Sequence, residues 1–143
     1  MSKVSDILSR KGYNAISVSP ETTVLNALKA MAENNIGSIV VMENENFLGI
    51  MTERDYSRKV VLKNKNSTDT KVGEIMTEKL PYVKPTDTIE HCMELLTKNN
   101  IRYLPVMVNE KLRGIISISD VVTETIISQK ETIDQLDNYI NSK

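Results

Sequence analysis

The sequence predicts a mixed α/β (α+β) fold: two copies of one β-α-β-β-α unit related by a pseudo-twofold axis, with an extended C-terminal helix. The first observation behind this is an internal repeat. Residues 17–55, SVSPETTVLNALKAMAENNIGSIVVMENENFLGIMTERD, align without a gap to residues 82–120, YVKPTDTIEHCMELLTKNNIRYLPVMVNEKLRGIISISD. Roughly a third of the pairs are identical, including Pro20/Pro85, Thr23/Thr88, Gly49/Gly114 and Asp55/Asp120. The second observation is that each copy has one helical stripe followed by two short apolar runs. The third is a tail from Asp120 to Asn141 without Gly or Pro.

Each unit opens with a short strand, around Ile16–Val18 or Pro81–Val83, stopped by a proline. Thr22 or Thr23, and Asp87 or Thr88, are the candidate N-caps of the next helix. In that helix Val24, Ala27, Leu28 and Met31 share a face, and Ile89, Cys92, Met93 and Leu96 repeat the stripe. The Asn34-Asn35 and Asn99-Asn100 pairs suit the left-handed turn that ends a helix. SIVVM then FLGIM, and LPVMV then LRGII, read as hairpins across the polar turns ENEN and NEK. A further helix starts at Thr52 or Ser117. A small sheet with helices on one face leaves its other face apolar, and two copies can bury those faces together.

The expected division is residues 1–62 for the first repeat with its lead-in helix, 63–71 for a linker, 72–127 for the second repeat and 128–143 for the helical extension. The leads VSDIL (4–8) and VGEIM (72–76) correspond, but three extra residues break the register. The segment KNKNSTDTK (63–71) has no apolar residue and reads as a solvated linker. In the tail, Ile126, Ile133, Leu136 and Ile140 form a stripe on a helix too long for one small unit to cover. The stripe either folds back or packs on a second chain, and a homodimer contact is the favoured expectation.

With 143 residues, 18 Lys and Arg against 19 Asp and Glu, and a net charge of −1, the chain lacks the positive surplus that duplex DNA binding requires. No apolar stretch approaches bilayer length, and the N-terminus lacks a signal-peptide core. A single cysteine, Cys92, suits a reducing compartment, so a cytoplasmic protein is expected.

The chemistry concentrates in GIMTERD (49–55) and GIISISD (114–120). Thr-x-x-Asp or Ser-x-x-Asp at a helix start is a capping arrangement in its own right. The same geometry serves a nucleotide: free N–H groups suit a phosphate, and a carboxylate accepts both hydroxyls of a ribose. Branched apolar residues on neighbouring strands could hold a flat base.

These residues, with V-x-P-x-x-T, N-x-I, LPVM and the VGEIMT lead-in, resemble the cystathionine-β-synthase (CBS) domain. The resemblance covers about residues 4–127 and is to a stand-alone pair of CBS units, a Bateman module. It implies a non-catalytic regulatory module that binds AMP, ADP, ATP, NAD or S-adenosylmethionine, and frequent homodimerisation. A ligand-free interaction protein of the same fold is the alternative. By the same resemblance, one pocket would use Val83, Arg102, Tyr103 and Leu104 with Met51, Thr52, Arg54 and Asp55. The other would use Val18, Gly37, Ser38 and Ile39 with Ile116, Ser117 and Asp120. The aspartates would hold the ribose. Arg54 and Arg102 stand where the other copy has Ser119 and Gly37, so the Arg54 pocket is the one expected to take a phosphate.

No nucleophile or acid–base pair suggests an enzyme, no P-loop is present, and no metal set is complete. His91 and Cys92 align with Asn26 and Ala27 and read as structural. The output of such a module, on binding AMP, ATP or NAD, is expected to pass through an effector protein.

Overall fold

A computed structural model describes residues 2–13 and 15–141. Its elements are α1 (Val4–Lys11), β1 (Ser17–Val18), α2 (Val24–Glu33), β2 (Ser38–Glu43), β3 (Asn46–Thr52) and α3 (Glu53–Tyr56). A π-helical turn, Ser57–Val61, prolongs α3. Then come α4 (Val72–Ile75), α5 (Ile89–Asn99), β4 (Tyr103–Val108), β5 (Lys111–Ser117) and α6 (Ile118–Asn141). No helix among the described residues is long and apolar enough to cross a membrane.

The chain forms two compact units, and each is described by itself. The first-repeat unit is Ala15–Leu80; the second-repeat unit joins α1 to the chain from Pro81 onward. The packing division thus differs from the sequence division at the leads. Helix α1, expected with the first repeat, buries Val4, Ile7 and Leu8 among Val83, Ile89, Cys92, Leu96, Leu104, Val106, Ile116 and Val121. Helix α4 buries Val72 and Ile75 with Val24, Ala27, Met31, Ile39, Val41, Met51 and Val60.

Hydrogen bonds at the helix starts explain why a lead is needed. Val4 and Ser5 donate their N–H groups to Asp87 O and Pro85 O, each at 2.9 Å. At the equivalent places Val72 and Gly73 donate to Thr22 O at 2.8 Å and Pro20 O at 2.9 Å. Each lead therefore satisfies its own first-turn donors on the loop that starts a longer helix.

Residues 63–71 do more than span. Thr70 O and Ser67 O accept the first two N–H groups of α2, from Val24 at 2.8 Å and Leu25 at 3.0 Å. Thr23 Oγ1 accepts the third, from Asn26, at 3.2 Å. In the second-repeat unit Ser2 O accepts from Ile89 N–H at 3.2 Å and Thr88 Oγ1 from His91 N–H at 3.1 Å. Thr23 and Thr88, rather than Thr22 and Asp87, are the N-caps.

The first unit holds a three-stranded sheet in the order β1-β2-β3, with β1 parallel to β2 and β2 antiparallel to β3. The second unit holds the β4-β5 hairpin. The strand expected around Pro81–Val83 reduces to a parallel bridge between Val83 and Val106. Proline offers no ladder donor, so only Val83 bonds there, to Pro105 O at 3.0 Å and from Met107 N–H at 2.8 Å. Both hairpins carry a bulge at the same place, after Val41 and after Val106. Both turn on two residues of positive φ, Asn44 (50°) with Glu45 (69°) and Asn109 (51°) with Glu110 (66°). That is the twist-matched two-residue turn. Asn35 (φ 52°) and Asn100 (φ 50°) take the expected left-handed conformation after α2 and α5.

Helix α6 runs for 24 residues. Ile126, Ile133, Leu136 and Ile140 are 57–65% exposed, so the stripe is not covered by the described residues. The last two residues of the expected extension lie outside the described residues.

Candidate functional site

The residues expected to bind a ligand divide between the units. Val18, Gly37, Ser38, Ile39, Met51, Thr52, Arg54 and Asp55 belong to the first-repeat unit; Val83, Arg102, Tyr103, Leu104, Ile116, Ser117 and Asp120 belong to the second. Within each unit the hairpin register brings a strand start beside the hydroxyl-x-x-Asp motif. Ser38 faces Thr52 and Ile39 faces Met51. Tyr103 faces Ser117 and Leu104 faces Ile116. The helix start is fastened to that strand: Glu53 N–H donates to Gly37 O at 3.2 Å, and Ile118 N–H to Arg102 O at 2.8 Å. Two half-sites of one design result. Val18 and Val83 lie on the other side of β2 and β4 from the motifs, paired with Val41 and Val106.

Both motifs form caps. Asp55 N–H donates to Thr52 Oγ1 at 3.0 Å and Thr52 N–H to Asp55 Oδ2 at 3.0 Å. Asp120 N–H donates to Ser117 Oγ at 3.1 Å and Ser117 N–H to Asp120 Oδ2 at 2.8 Å. The capping reading of the sequence is what both motifs show within their own units.

The carboxylates differ in what else they hold. Asp55 is 6% exposed. Its Oδ2 also accepts from Thr52 Oγ1 at 3.1 Å, and its Oδ1 takes Thr77 Oγ1 at 2.9 Å and the Lys59 ammonium at 2.9 Å. Four donors on two oxygens use the acceptor capacity of a carboxylate. Lys59 is held in turn by Ile75 O at 2.9 Å, at the end of α4. Arg54 is half-buried on the first turn of α3.

Asp120 keeps 24% of its side chain exposed, and one cation sits on it: Lys11 Nζ, 2.7 Å from Oδ2. Lys11 also donates to Ile115 O at 2.9 Å. This residue was not legible as part of the site, because α1 brings it from 109 positions away. The position equivalent to Lys59 is Glu124, whose side chain is 3% exposed and pairs with Arg10 of α1. The two cations thus come from the last turn of α1, where a helix dipole favours them. A polar groove of about 350 Å³, lined by Asp6, Arg10, Glu124, Ser128 and Glu131 among others, follows α1 and α6.

Cys92 is fully buried, its thiol pushed up to about 12, first by burial and then by Asp87. His91 is exposed. Among the described residues no group of His, Cys, Asp and Glu has the makings of a metal site.

Paired units with a lead helix, a bulged hairpin and a hydroxyl-x-x-Asp cap define a class of protein. The chain belongs to the CBS-domain family, whose model matches residues 4–62 and 72–126. It is 38% identical over 146 residues to the Arabidopsis thaliana CBS domain-containing protein CBSX3, mitochondrial, covering 96% of this chain and 71% of that one. Among solved structures, a CBS-domain protein from Burkholderia ambifaria is 43% identical, with a TM-score of 0.86 over 90% of this chain and 96% of that one. The CBS-domain containing protein ATU1752 from Agrobacterium tumefaciens is 34% identical, with a TM-score of 0.82 over 87% and 99%.

Proposed function

We propose that this chain is a regulatory module, without catalysis of its own, that binds an adenosine-containing ligand such as AMP, ATP or NAD and reports it to an effector protein. The observation that carries the reading is the hydroxyl-x-x-Asp half-site, present in both repeats with a carboxylate at a helix start beside branched apolar strand residues. A carboxylate suits a ribose diol, and apolar walls suit a purine. Paired CBS units serve the family as adenosine-ligand modules. The pair of protein MJ0100, 23% identical with a TM-score of 0.76, was solved with 5′-methylthioadenosine and S-adenosylmethionine. The residues put forward are those expected from the sequence in both half-sites, with Lys11 added.

Titration with AMP and 2′-deoxy-AMP tests the reading. A ribose diol held by a carboxylate makes the deoxy compound bind at least tenfold more weakly, since a hydrogen bond to a charged group contributes about 1.5–3 kcal/mol. Equal affinities would remove the carboxylate from recognition. Failure of an adenine-nucleotide panel to raise the melting temperature would favour the ligand-free interaction protein instead.

The same proposal includes a homodimer in which the exposed stripe of α6 meets a second copy. A soluble chain needs a cover for Ile126, Ile133, Leu136 and Ile140, and their spacing suits a helix–helix seam. A hexameric CBS-CP12 protein, 29% identical with a TM-score of 0.74, is a related module that assembles.

A further inference from the structure

The two half-sites share a backbone design but not the enclosure of their carboxylates, and that difference bears on which of them exchanges partners with a ligand. Asp55 is enclosed at 6% exposure, with Thr52, Thr77 and Lys59 on its oxygens. A ribose could reach it only by breaking several of these bonds at once. Asp120 is more open, and among the described residues its carboxylate takes the Ser117 cap bond and Lys11. Lys11 and Lys59 are held alike, 40% and 43% exposed with one backbone carbonyl each, so the difference between the half-sites lies in the carboxylate side chains, 24% exposed for Asp120 and 8% for Asp55.

We propose that Asp120 is the ligand-exchangeable carboxylate and that Lys11 is its phosphate partner, while Asp55 is a structural strut. This rests on the adenosine-ligand reading above and narrows it, since of the two carboxylates put forward there only Asp120 is kept as a ligand for ribose. A ribose diol arriving at Asp120 displaces the ammonium. Lys11 then needs a new anion, and the 5′-phosphate of the same nucleotide supplies one. A nucleoside displaces Lys11 and offers nothing in return. The chain therefore selects nucleotides over nucleosides through Lys11 and takes one per chain, although it carries two copies of the motif.

The test is calorimetric titration of the full chain with AMP and with adenosine, for the unaltered protein, Lys11→Gln and Lys11→Arg. The expected results are one AMP per chain and a loss of about ten- to a hundredfold in AMP affinity for Lys11→Gln, with Lys11→Arg close to the unaltered protein. Adenosine should bind Lys11→Gln at least as well as it binds the unaltered chain, because its competitor is gone. Equal losses for both ligands, unchanged AMP affinity in Lys11→Gln, or two AMP per chain would each overturn the inference while leaving the adenosine-ligand reading in place. Absence of AMP binding by the unaltered chain would overturn both.

Discussion

Two glycines occupy the same place in the two repeats, and the structure gives them different tolerances. A Cβ added at Gly49 would lie 2.4 Å from Thr77 O and 3.2 Å from Thr77 C. Both are backbone atoms, and Thr77 is tied to the neighbouring strand residue: Ile50 N–H donates to Thr77 O at 3.1 Å and Thr77 N–H to Ile50 O at 2.8 Å. Gly49→Ala must push that segment away and so forfeit the bridge. Overpacking costs about 1–3 kcal/mol and each lost hydrogen bond about 0.5–1.5 kcal/mol, a combined penalty of roughly 2–6 kcal/mol. At Gly114 the added Cβ would meet Leu8 Cδ2 at 3.0 Å, with the nearest backbone atom, Tyr13 O, at 3.8 Å. The end of a side chain can rotate aside, and alanine also lowers the entropy of the unfolded chain, so Gly114→Ala should cost within about 1 kcal/mol. Urea denaturation followed by far-UV circular dichroism measures both. If Gly114→Ala proves as destabilising as Gly49→Ala, the tight contact between β3 and the segment after α4 is not what this glycine serves.

The aspartates should separate in the same assay: Asp55→Ala, which strips a buried and fully bonded carboxylate, by about 2–4 kcal/mol, and Asp120→Ala by about 1 kcal/mol for its cap. The reverse order would contradict the difference in enclosure. Cys92 should resist alkylation in the folded state and react on unfolding, as thiol-reagent kinetics would show. Its raised pKa also has a stability sign: above about 9 the unfolded thiol ionises while the buried one keeps its proton until about 12. Stability should accordingly fall by up to about 1.4 kcal/mol per pH unit in that window, a slope that Cys92→Ala should lack. Truncation after Ile127 removes Ile133, Leu136 and Ile140 and should lower the sedimentation coefficient by more than the lost mass explains; an unchanged assembly state would exclude α6 from the interface.

Much of the fold was legible because local chemistry decides it. The left-handed turns at the Asn pairs and the two hairpins follow from residue type and period, while for each helix cap the sequence offers two neighbours, of which Thr23 and Thr88 are the ones used. Which repeat a lead helix joins was not legible, since the loops before α2 and α5 offer equivalent carbonyls, Pro20 and Thr22 in one and Pro85 and Asp87 in the other. Residues 63–71 looked featureless because their contribution is made by backbone carbonyls, which composition does not reveal. At the site, the hydroxyl and aspartate positions could be read directly. Thr77 and Lys11 could not, because tertiary packing of a lead is what delivers them.

Lys59 is the instructive exception, since its four-residue spacing from Asp55 is a helical ion-pair spacing visible in the sequence. At the equivalent position the second repeat has Glu124, and this reversal of sign accounts for the electrostatics around it. A buried glutamate one turn beyond Asp120 would leave two uncompensated carboxylates close together, so a cation must come from elsewhere. Arg10 and Lys11 supply it, one to each acid. Each lysine is also held by one backbone carbonyl, Lys59 by Ile75 O and Lys11 by Ile115 O, both at 2.9 Å, but the Asp55 side chain is left 8% exposed under its partners and that of Asp120 24%. Lys59→Glu should therefore be strongly destabilising in the first-repeat unit, which has no Arg10–Lys11 equivalent among the contacts of Asp55. Glu124→Lys should instead be accommodated at lower cost if Lys11 is simultaneously made neutral, because the substituted lysine could then reach Asp120 as Lys59 reaches Asp55. Measured unfolding free energies of Glu124→Lys with and without Lys11→Gln decide this. If Lys11→Gln fails to relieve the cost of Glu124→Lys, the two cations are not interchangeable sources of charge for Asp120.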